Sequence, residues 1–216
     1  MSASETQVGP LPLNSESFGL NGAAGKVELI QTHIGWVYLA GPYAFKIKKR
    51  VKFDFLDFTT LEKRHWACER EITLNRRLAP DLYLALCPVL RDARGRTWIE
   101  TRAPLGNRDL PPGLDIIDWA VWMKRLPSGR MLDVLLEAGA ISPAGAVSIA
   151  DVLAEFYLQR RRLESIAPGG LGDLAAVKYN IEENLREGWT LDRALLPEGA
   201  LQLIEKRASG FLENHA

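Results

Sequence analysis

The sequence predicts an α+β fold in which antiparallel strands come first and helices follow. Three observations predict it. Short β-branched and aromatic runs, broken by Gly and Pro turns, fill residues 27–127. A single helix-patterned stretch, Leu61 to Leu78, interrupts them. From Met131 onward every periodic segment reads as helix. Strands and helices that segregate along the chain give an α+β fold, whereas a parallel sheet needs them to alternate.

Residues 1–26 are polar with interspersed Pro and Gly, so a flexible tail is expected there. They lack the basic start and apolar run of a secretory signal. Val27 to Ile34 reads as strand, Gly35 interrupts it, and Trp36 to Leu39 is a second β-rich run. Ala40-Gly41-Pro42 signals a turn, and Tyr43 to Lys48 alternates again, so the two runs make an antiparallel hairpin. Phe58-Thr59-Thr60 offers an N-cap for the helix that follows. Leu61, His65, Cys68, Ile72 and Leu74 recur there at near-helical spacing, and Ala79-Pro80 ends the run because proline cannot continue the hydrogen-bond ladder.

Leu82 to Leu90 is an apolar strand, Asp92 to Arg96 a turn and Thr97 to Thr101 its return strand. Pro104 to Gly113 is loose. Asp118 to Leu126 is a strand that runs into a connector at Pro127. Helices are then expected over Met131–Ala138, Pro143–Leu163, Leu174–Glu187 and Glu198–Leu212, the second capped by Ser142 with Pro143 at its first position. Gly169 to Gly172 marks a loop. The expected organisation is a tail at 1–26, a strand-rich lobe at 27–127 and a partial helical lobe at 128–216.

Composition narrows the function classes. Lys+Arg and Asp+Glu are both 27, so the formal net charge is zero, which argues against a dedicated nucleic-acid binder. Hydrophobic residues make up 47% of the chain, enough for a sizeable core. Cys68 and Cys87 stand 19 positions apart with no Cys-x-x-Cys pair or His cluster, so neither a disulfide scaffold nor a zinc site is expected. No apolar run approaches the roughly 18 residues of a membrane span. A soluble, cytoplasmic protein with reduced thiols is expected, with no membrane and no nucleic-acid partner.

The most informative local feature is Lys46, which follows Tyr43-Ala44-Phe45 near the end of a strand. A strand lysine of this kind can offset phosphate charge in a partly dry cleft, provided a carboxylate on a neighbouring helix holds it in place. The helix carries Glu69 and Glu71, and Glu71, 25 residues after Lys46, is the candidate because it precedes the apolar Ile72-Thr73-Leu74 stretch. The competing reading is a solvated basic edge strand, because Lys46, Lys48, Lys49, Arg50 and Lys52 crowd together and lysines protect sheet edges.

A wider resemblance bears on this choice. Thr32 to Leu39 leads into Tyr43 to Lys49, and then come Phe53-Asp54-Phe55-Leu56-Asp57-Phe58 to Arg64 and Leu74-Asn75-Arg76-Arg77-Leu78-Ala79-Pro80-Asp81-Leu82-Tyr83-Leu84. Together these resemble the amino-terminal half of bacterial aminoglycoside-phosphotransferase-like kinases, in particular the group often fused to a carboxy-terminal P-loop kinase domain. The resemblance covers roughly residues 27–212, and its most specific block is Phe53 to Leu84. It implies a protein-kinase-like fold with ATP and Mg2+ bound between two lobes, Lys46 on the phosphates and Glu71 as its partner. It implies that Gly35 lies in the loop over the phosphates, where relatives often have serine. It makes Ala120-Val121-Trp122-Met123 the hinge that meets the adenine edge, with Val121 and Met123 as nucleotide contacts. Ordinary packing remains the other reading of Trp122 and Met123.

The departures from that family matter as much. Its members carry a His-Gly-Asp loop whose aspartate orients the substrate hydroxyl, and a later aspartate that holds metal. The three histidines here, His33, His65 and His215, are not followed by Gly-Asp or Arg-Asp. Asp54-Phe55-Leu56 comes only eight residues after Lys46, too early for the metal site, and Gly172-Asp173 lacks the histidine. Tyr157 stands where relatives tend to have histidine. No catalytic residue and no metal ligand is therefore assigned, and the chain is expected to stop short of the catalytic loop and to be inactive alone. The leading expectation is an ATP-dependent phosphotransferase of a small-molecule hydroxyl whose remaining carboxy-terminal part is missing. The alternative is a non-catalytic, pseudokinase-like module that binds nucleotide or a protein. Nucleic-acid binding through residues 46–52 is the third reading, disfavoured by the zero net charge.

Overall fold

The computed structural model describes residues 9–20, 25–53, 55–101, 112–161, 174–190, 197 and 199–214. Among these, eight strands and five α-helices form, and the class is α+β. The strands are β1 (Val27–Gln31), β2 (Gly35–Ala40), β3 (Tyr43–Lys48), β4 (Lys52–Phe53), β5 (Leu56–Asp57), β6 (Tyr83–Asp92), β7 (Thr97–Ile99) and β8 (Leu114–Lys124). The helices are α1 (Leu61–Asn75), α2 (Leu132–Glu137), α3 (Pro143–Arg161), α4 (Leu174–Thr190) and α5 (Ala200–Asn214). The chain forms two compact units, residues 1–141 and 142–216. The division falls after α2, beyond the change from strand to helix that the sequence shows at Pro127.

Six strands of the first unit pair in the order β1-β2-β3-β8-β6-β7, and β4 and β5 pair separately. Every pairing is antiparallel. β8 inserts between β3 and β6, so β3 is an interior strand: Lys46 faces Val37 on β2 and Val121 on β8. This removes the reading of Lys46 as part of a basic edge strand. Gly41-Pro42 makes the tight β2–β3 turn, with Gly41 at φ 56°, a left-handed conformation that glycine adopts without a Cβ penalty.

The period-2 alternation of a strand gives the sheet two faces. On one face α1 buries Cys68 and Ile72 against Val121, with Tyr83, Leu86, Trp119 and Met123 packed around them. α1 starts where Thr60 Oγ1 accepts the Lys63 N–H at 3.3 Å. The helix ends at Asn75, three residues before the expected Leu78, and Arg77 and Leu78 continue as turns. The Arg76 guanidinium donates to the Tyr83 and Leu84 carbonyl oxygens, which ties the end of the helix to β6.

The other face carries Trp36, Tyr38, Phe45, Ile47, Cys87, Val89, Ile99 and Ala120. Its cover corrects an expectation. The N-terminal segment is not a tail over residues 11–20. Asn14 caps a short 3-10 turn, Ser15–Phe18, and Phe18 is fully buried, with its ring 4.9 Å from Phe45 and 6.1 Å from Tyr38. Tyr38 Oη donates to the Leu11 carbonyl at 2.9 Å, and Leu11, Leu13 and Leu20 pack alongside. The sheet face needs an apolar cover, and four well-spaced apolar residues among polar ones supply it without any periodic pattern. Residues 1–8 and 21–24 lie outside the described residues.

In the second unit Ser142 Oγ accepts the Gly145 N–H at 3.1 Å, the cap expected for α3. α4 and α5 pack on each other, and Gly188 lets them approach: a Cβ there would stand 3.0 Å from Leu201 Cδ2. The Gly169–Gly172 loop and residues 104–111 of the loose stretch lie outside the described residues. No helix among the described residues is long and apolar enough to cross a membrane.

Candidate functional site

Lys46 and Lys48 stand two residues apart on β3 and so point to the same face, toward α1. Glu71 sits on α1 three positions after Cys68 and one before Ile72, the two residues that anchor the helix to the sheet. That anchoring sets the height of Glu71 over β3. Lys46 Nζ donates to Glu71 Oε1 at 2.9 Å, and Lys48 Nζ donates to Glu71 Oε2. Each ammonium thus has its own carboxylate oxygen. The Lys46 side chain is 25% exposed, while those of Lys48 and Glu71 are 5% and 13% exposed.

Burial by itself would raise the Glu71 carboxyl. The hydrogen bond and charge of Lys48, and then the charge and hydrogen bond of Lys46, outweigh it and hold the carboxyl below its ordinary value of 4.5. Lys48 Nζ also lies 5.3 Å from the centre of the Phe58 ring, a cation–π distance. Glu69, the other acidic candidate, faces away and meets His65 at 3.6 Å.

Gly35 is brought to the same place. It opens β2 opposite Lys48, and its carbonyl accepts both the Thr32 N–H (2.9 Å) and the Thr32 hydroxyl (3.0 Å), which closes the short β1–β2 turn. A Cβ at Gly35 would stand 3.8 Å from Lys46 Cε and 3.1 Å from the Ile47 carbonyl oxygen. The absence of a side chain therefore leaves space directly beside the exposed lysine.

Val121 and Met123, the hinge contacts that the resemblance implies, lie within the strand expected over residues 118–126. Both lie inside β8, between β3 and β6, and not in a connector. Val121 faces Lys46 and Leu86, and Met123 faces Ala44 and Tyr83, so their backbone groups belong to the ladders on either side. They form a packed floor under α1, with Val121 fully buried. Trp122 turns to the opposite face and stacks on Phe45 at 5.9 Å, which is packing. The connector begins only at Arg125, whose N–H is bonded to the Pro42 carbonyl and whose guanidinium meets Glu28.

Two features were missed from sequence. Lys48 was read as one of a basic run, although its i+2 spacing from Lys46 already places both on one face. The second is Arg64, 2% exposed, which bonds Asp118 Oδ1 at 2.8 Å and the Phe58 and Thr59 carbonyls at 3.0 and 3.2 Å. Burial pushes the Asp118 carboxyl up, while Arg64 and the Trp119 N–H pull against it. No sequence signal links residues 64 and 118, because they meet only when α1 docks across β8.

The remaining candidates do not converge here. His33 is exposed in the β1–β2 turn, and His65 packs edge-on against Trp119 at 4.3 Å. Tyr157 is exposed on α3. Asp54, Gly172-Asp173 and His215 lie outside the described residues. Among the described residues no three His, Cys, Asp or Glu side chains gather where they could hold a metal ion.

No family model matches the sequence, and no solved structure matches it. Uncharacterized proteins of Mycobacterium bovis and of two Mycobacterium tuberculosis strains are 35% identical to it over 161 residues, which is 74% of this chain and 28% of theirs. The chain thus spans less than a third of the length of these curated relatives.

Proposed function

We propose that this chain is the nucleotide-binding part of an ATP-dependent phosphotransferase of the aminoglycoside-phosphotransferase-like, protein-kinase-like kind, acting on the hydroxyl of a small molecule. One observation carries the reading. A partly exposed lysine on an interior strand is held at 2.9 Å by a glutamate on α1, the helix packed over the neighbouring strands β8 and β6. Phosphoryl transfer asks the protein chiefly for positioning and electrostatic stabilisation, and an oriented ammonium supplies both to the phosphates.

In this reading Lys46 neutralises and orients the phosphates, and Glu71 keeps the ammonium aimed. Gly35 admits the phosphate group close to the backbone. Among the described residues no three His, Cys, Asp or Glu side chains stand together to hold Mg2+. No His-Gly-Asp sequence occurs in these 216 residues, and the chain covers only 28% of the length of its curated relatives.

A non-catalytic module that binds nucleotide or a protein is the second reading. The absence of any His-Gly-Asp sequence in the 216 residues favours it. Both readings share the nucleotide site, which calorimetry with MgATP tests. The chain is expected to bind MgATP, and Lys46→Ala to abolish binding with an unchanged circular dichroism spectrum. Equal affinity in the variant would remove Lys46 from the site. Phosphorylation of an aminoglycoside by the chain alone would refute the missing-aspartate argument.

A further inference from the structure

A groove of about 430 Å³ runs along the β6 flank of α1, lined by Trp66, Arg70 and Ile72 on the helix and by Ala85 and Leu86 on the strand. Ala85 and Leu86 are consecutive, and consecutive strand residues point to opposite faces. A groove that touches both opens onto the edge of the strand. That edge is free. β7 pairs with β6 from Val89 to Arg91, and the Glu100 N–H adds one bond to the Pro88 carbonyl. No strand lies beside Ala85 to Cys87 on that side among the described residues. Alternation fixes which groups face out. The Pro88 carbonyl points to the β7 side, so the N–H and C=O of Leu86, two residues earlier, point there too. The Arg76 guanidinium takes up the Tyr83 and Leu84 carbonyls, so the free stretch begins after Leu84.

The helix adds charge and apolar surface to this edge. Trp66 is 63% exposed, and the Arg70 guanidinium, one turn on, lies 5.8 Å from the centre of its ring. Arg70 meets no carboxylate among the described residues, whereas Glu69 on the same wall is turned to His65. Ile72 and Leu86 are the apolar part of the groove.

We propose that this groove is a docking surface for an extended, acidic segment of another protein. The segment adds a strand to the free edge of β6 at Leu86, lays an apolar side chain on Ile72 and Leu86, and gives a carboxylate to Arg70. A free strand edge is a template for a further strand, and main-chain bonds of that kind supply affinity while side-chain contacts supply selectivity. A basic segment would face the guanidiniums of Arg70 and Arg76. A helical segment keeps its main-chain groups for itself and leaves the Leu86 N–H and C=O unpaired. The surface lies on the β6 flank of α1, away from Glu71 on the β3 flank, and owes nothing to the nucleotide reading.

The test adds acetyl-Val-Val-Glu-Glu-Val-Val-amide to the full chain and follows its N–H groups by NMR. As a strand, this peptide puts a glutamate between two valines on each face. The Leu86 amide and the Trp66 indole N–H are expected to shift along one saturating curve. The peptide with lysines in place of the glutamates should bind about tenfold more weakly, and so should the original peptide to Arg70→Gln, as expected when a charge-assisted hydrogen bond is lost. Arg70 is exposed, so its replacement leaves the fold intact. Methylating the main-chain nitrogens of both glutamates should abolish the Leu86 shift, which separates strand addition from mere attraction of charges. No saturating shift at Leu86, equal affinity for the acidic and basic peptides, or full binding of the methylated peptide would each overturn the proposal. A chain that sediments as a dimer with its Leu86 amide already protected from exchange would put a second copy in the groove and overturn it as well.

Discussion

Arg64 Nε donates to Asp118 Oδ1 at 2.8 Å, and both side chains are almost wholly out of solvent. This pair joins the first turn of α1 to β8, and Arg64 also holds the carbonyls of Phe58 and Thr59, where the chain enters the helix. The tie fixes the start of α1 on β8, one end of the helix whose Cys68 and Ile72 packing sets the height of Glu71 over β3. Removing one partner leaves a buried charge uncompensated, whereas removing both does not. Arg64→Met is expected to lower unfolding stability by about 3–5 kcal/mol. The double variant Arg64→Met with Asp118→Leu should lose less than the single one. Urea unfolding midpoints of the three proteins measure the order, and equal losses would show that the pair is incidental.

The Glu71 carboxyl sits below its ordinary value of 4.5, so its ionised form stabilises the fold. That contribution is fully present above the unfolded-state value and is lost as pH falls through the lower folded-state value. Chemical denaturation of the natural chain and of Glu71→Gln should therefore differ by a constant amount at neutral pH. The gap should close as pH falls below 4.5. A gap that widened in acid would reverse the assigned sign.

Gly35 faces a backbone atom, and a backbone atom in the sheet cannot swing aside. A Cβ there would meet the Ile47 carbonyl oxygen at 3.1 Å and Thr32 Oγ1 at 3.4 Å. Gly35→Val is expected to destabilise by about 1–3 kcal/mol through overpacking. It should also weaken MgATP binding more than its loss of stability accounts for, since a Cβ there already stands 3.8 Å from Lys46 Cε. Calorimetry at a temperature where the variant is fully folded separates the two effects.

Phe18 is fully buried against Phe45 and Tyr38, although it belongs to a segment whose composition reads as tail. Phe18→Ala is expected to cost about 3–5 kcal/mol, as for other large core truncations. A thermal midpoint unchanged by the substitution would show that the segment does not hold the sheet face.

Local chemistry determined much of this protein from the sequence alone. Alternation and turn residues set β2 and β3 as a hairpin, Thr60 set the start of α1, and Ser142-Pro143 set the start of α3. The same local rules placed Lys46 on a strand and Glu71 on the following helix at a spacing that lets them meet. Three things were decided only by tertiary structure, because each depends on partners far apart in the chain. Strand order is one: β8 pairs with both β3 and β6, which makes β3 an interior strand and pairs Val121 and Met123 on both sides. The cover of the second face is another, since burying Phe18 requires a surface that exists only after six strands have paired. The last is the sharing of Glu71. Spacing can say that a lysine and a glutamate are able to pair, but only the packing of Cys68 and Ile72 on Val121 sets α1 low enough for two lysines, one exposed and one buried, to reach the same carboxylate.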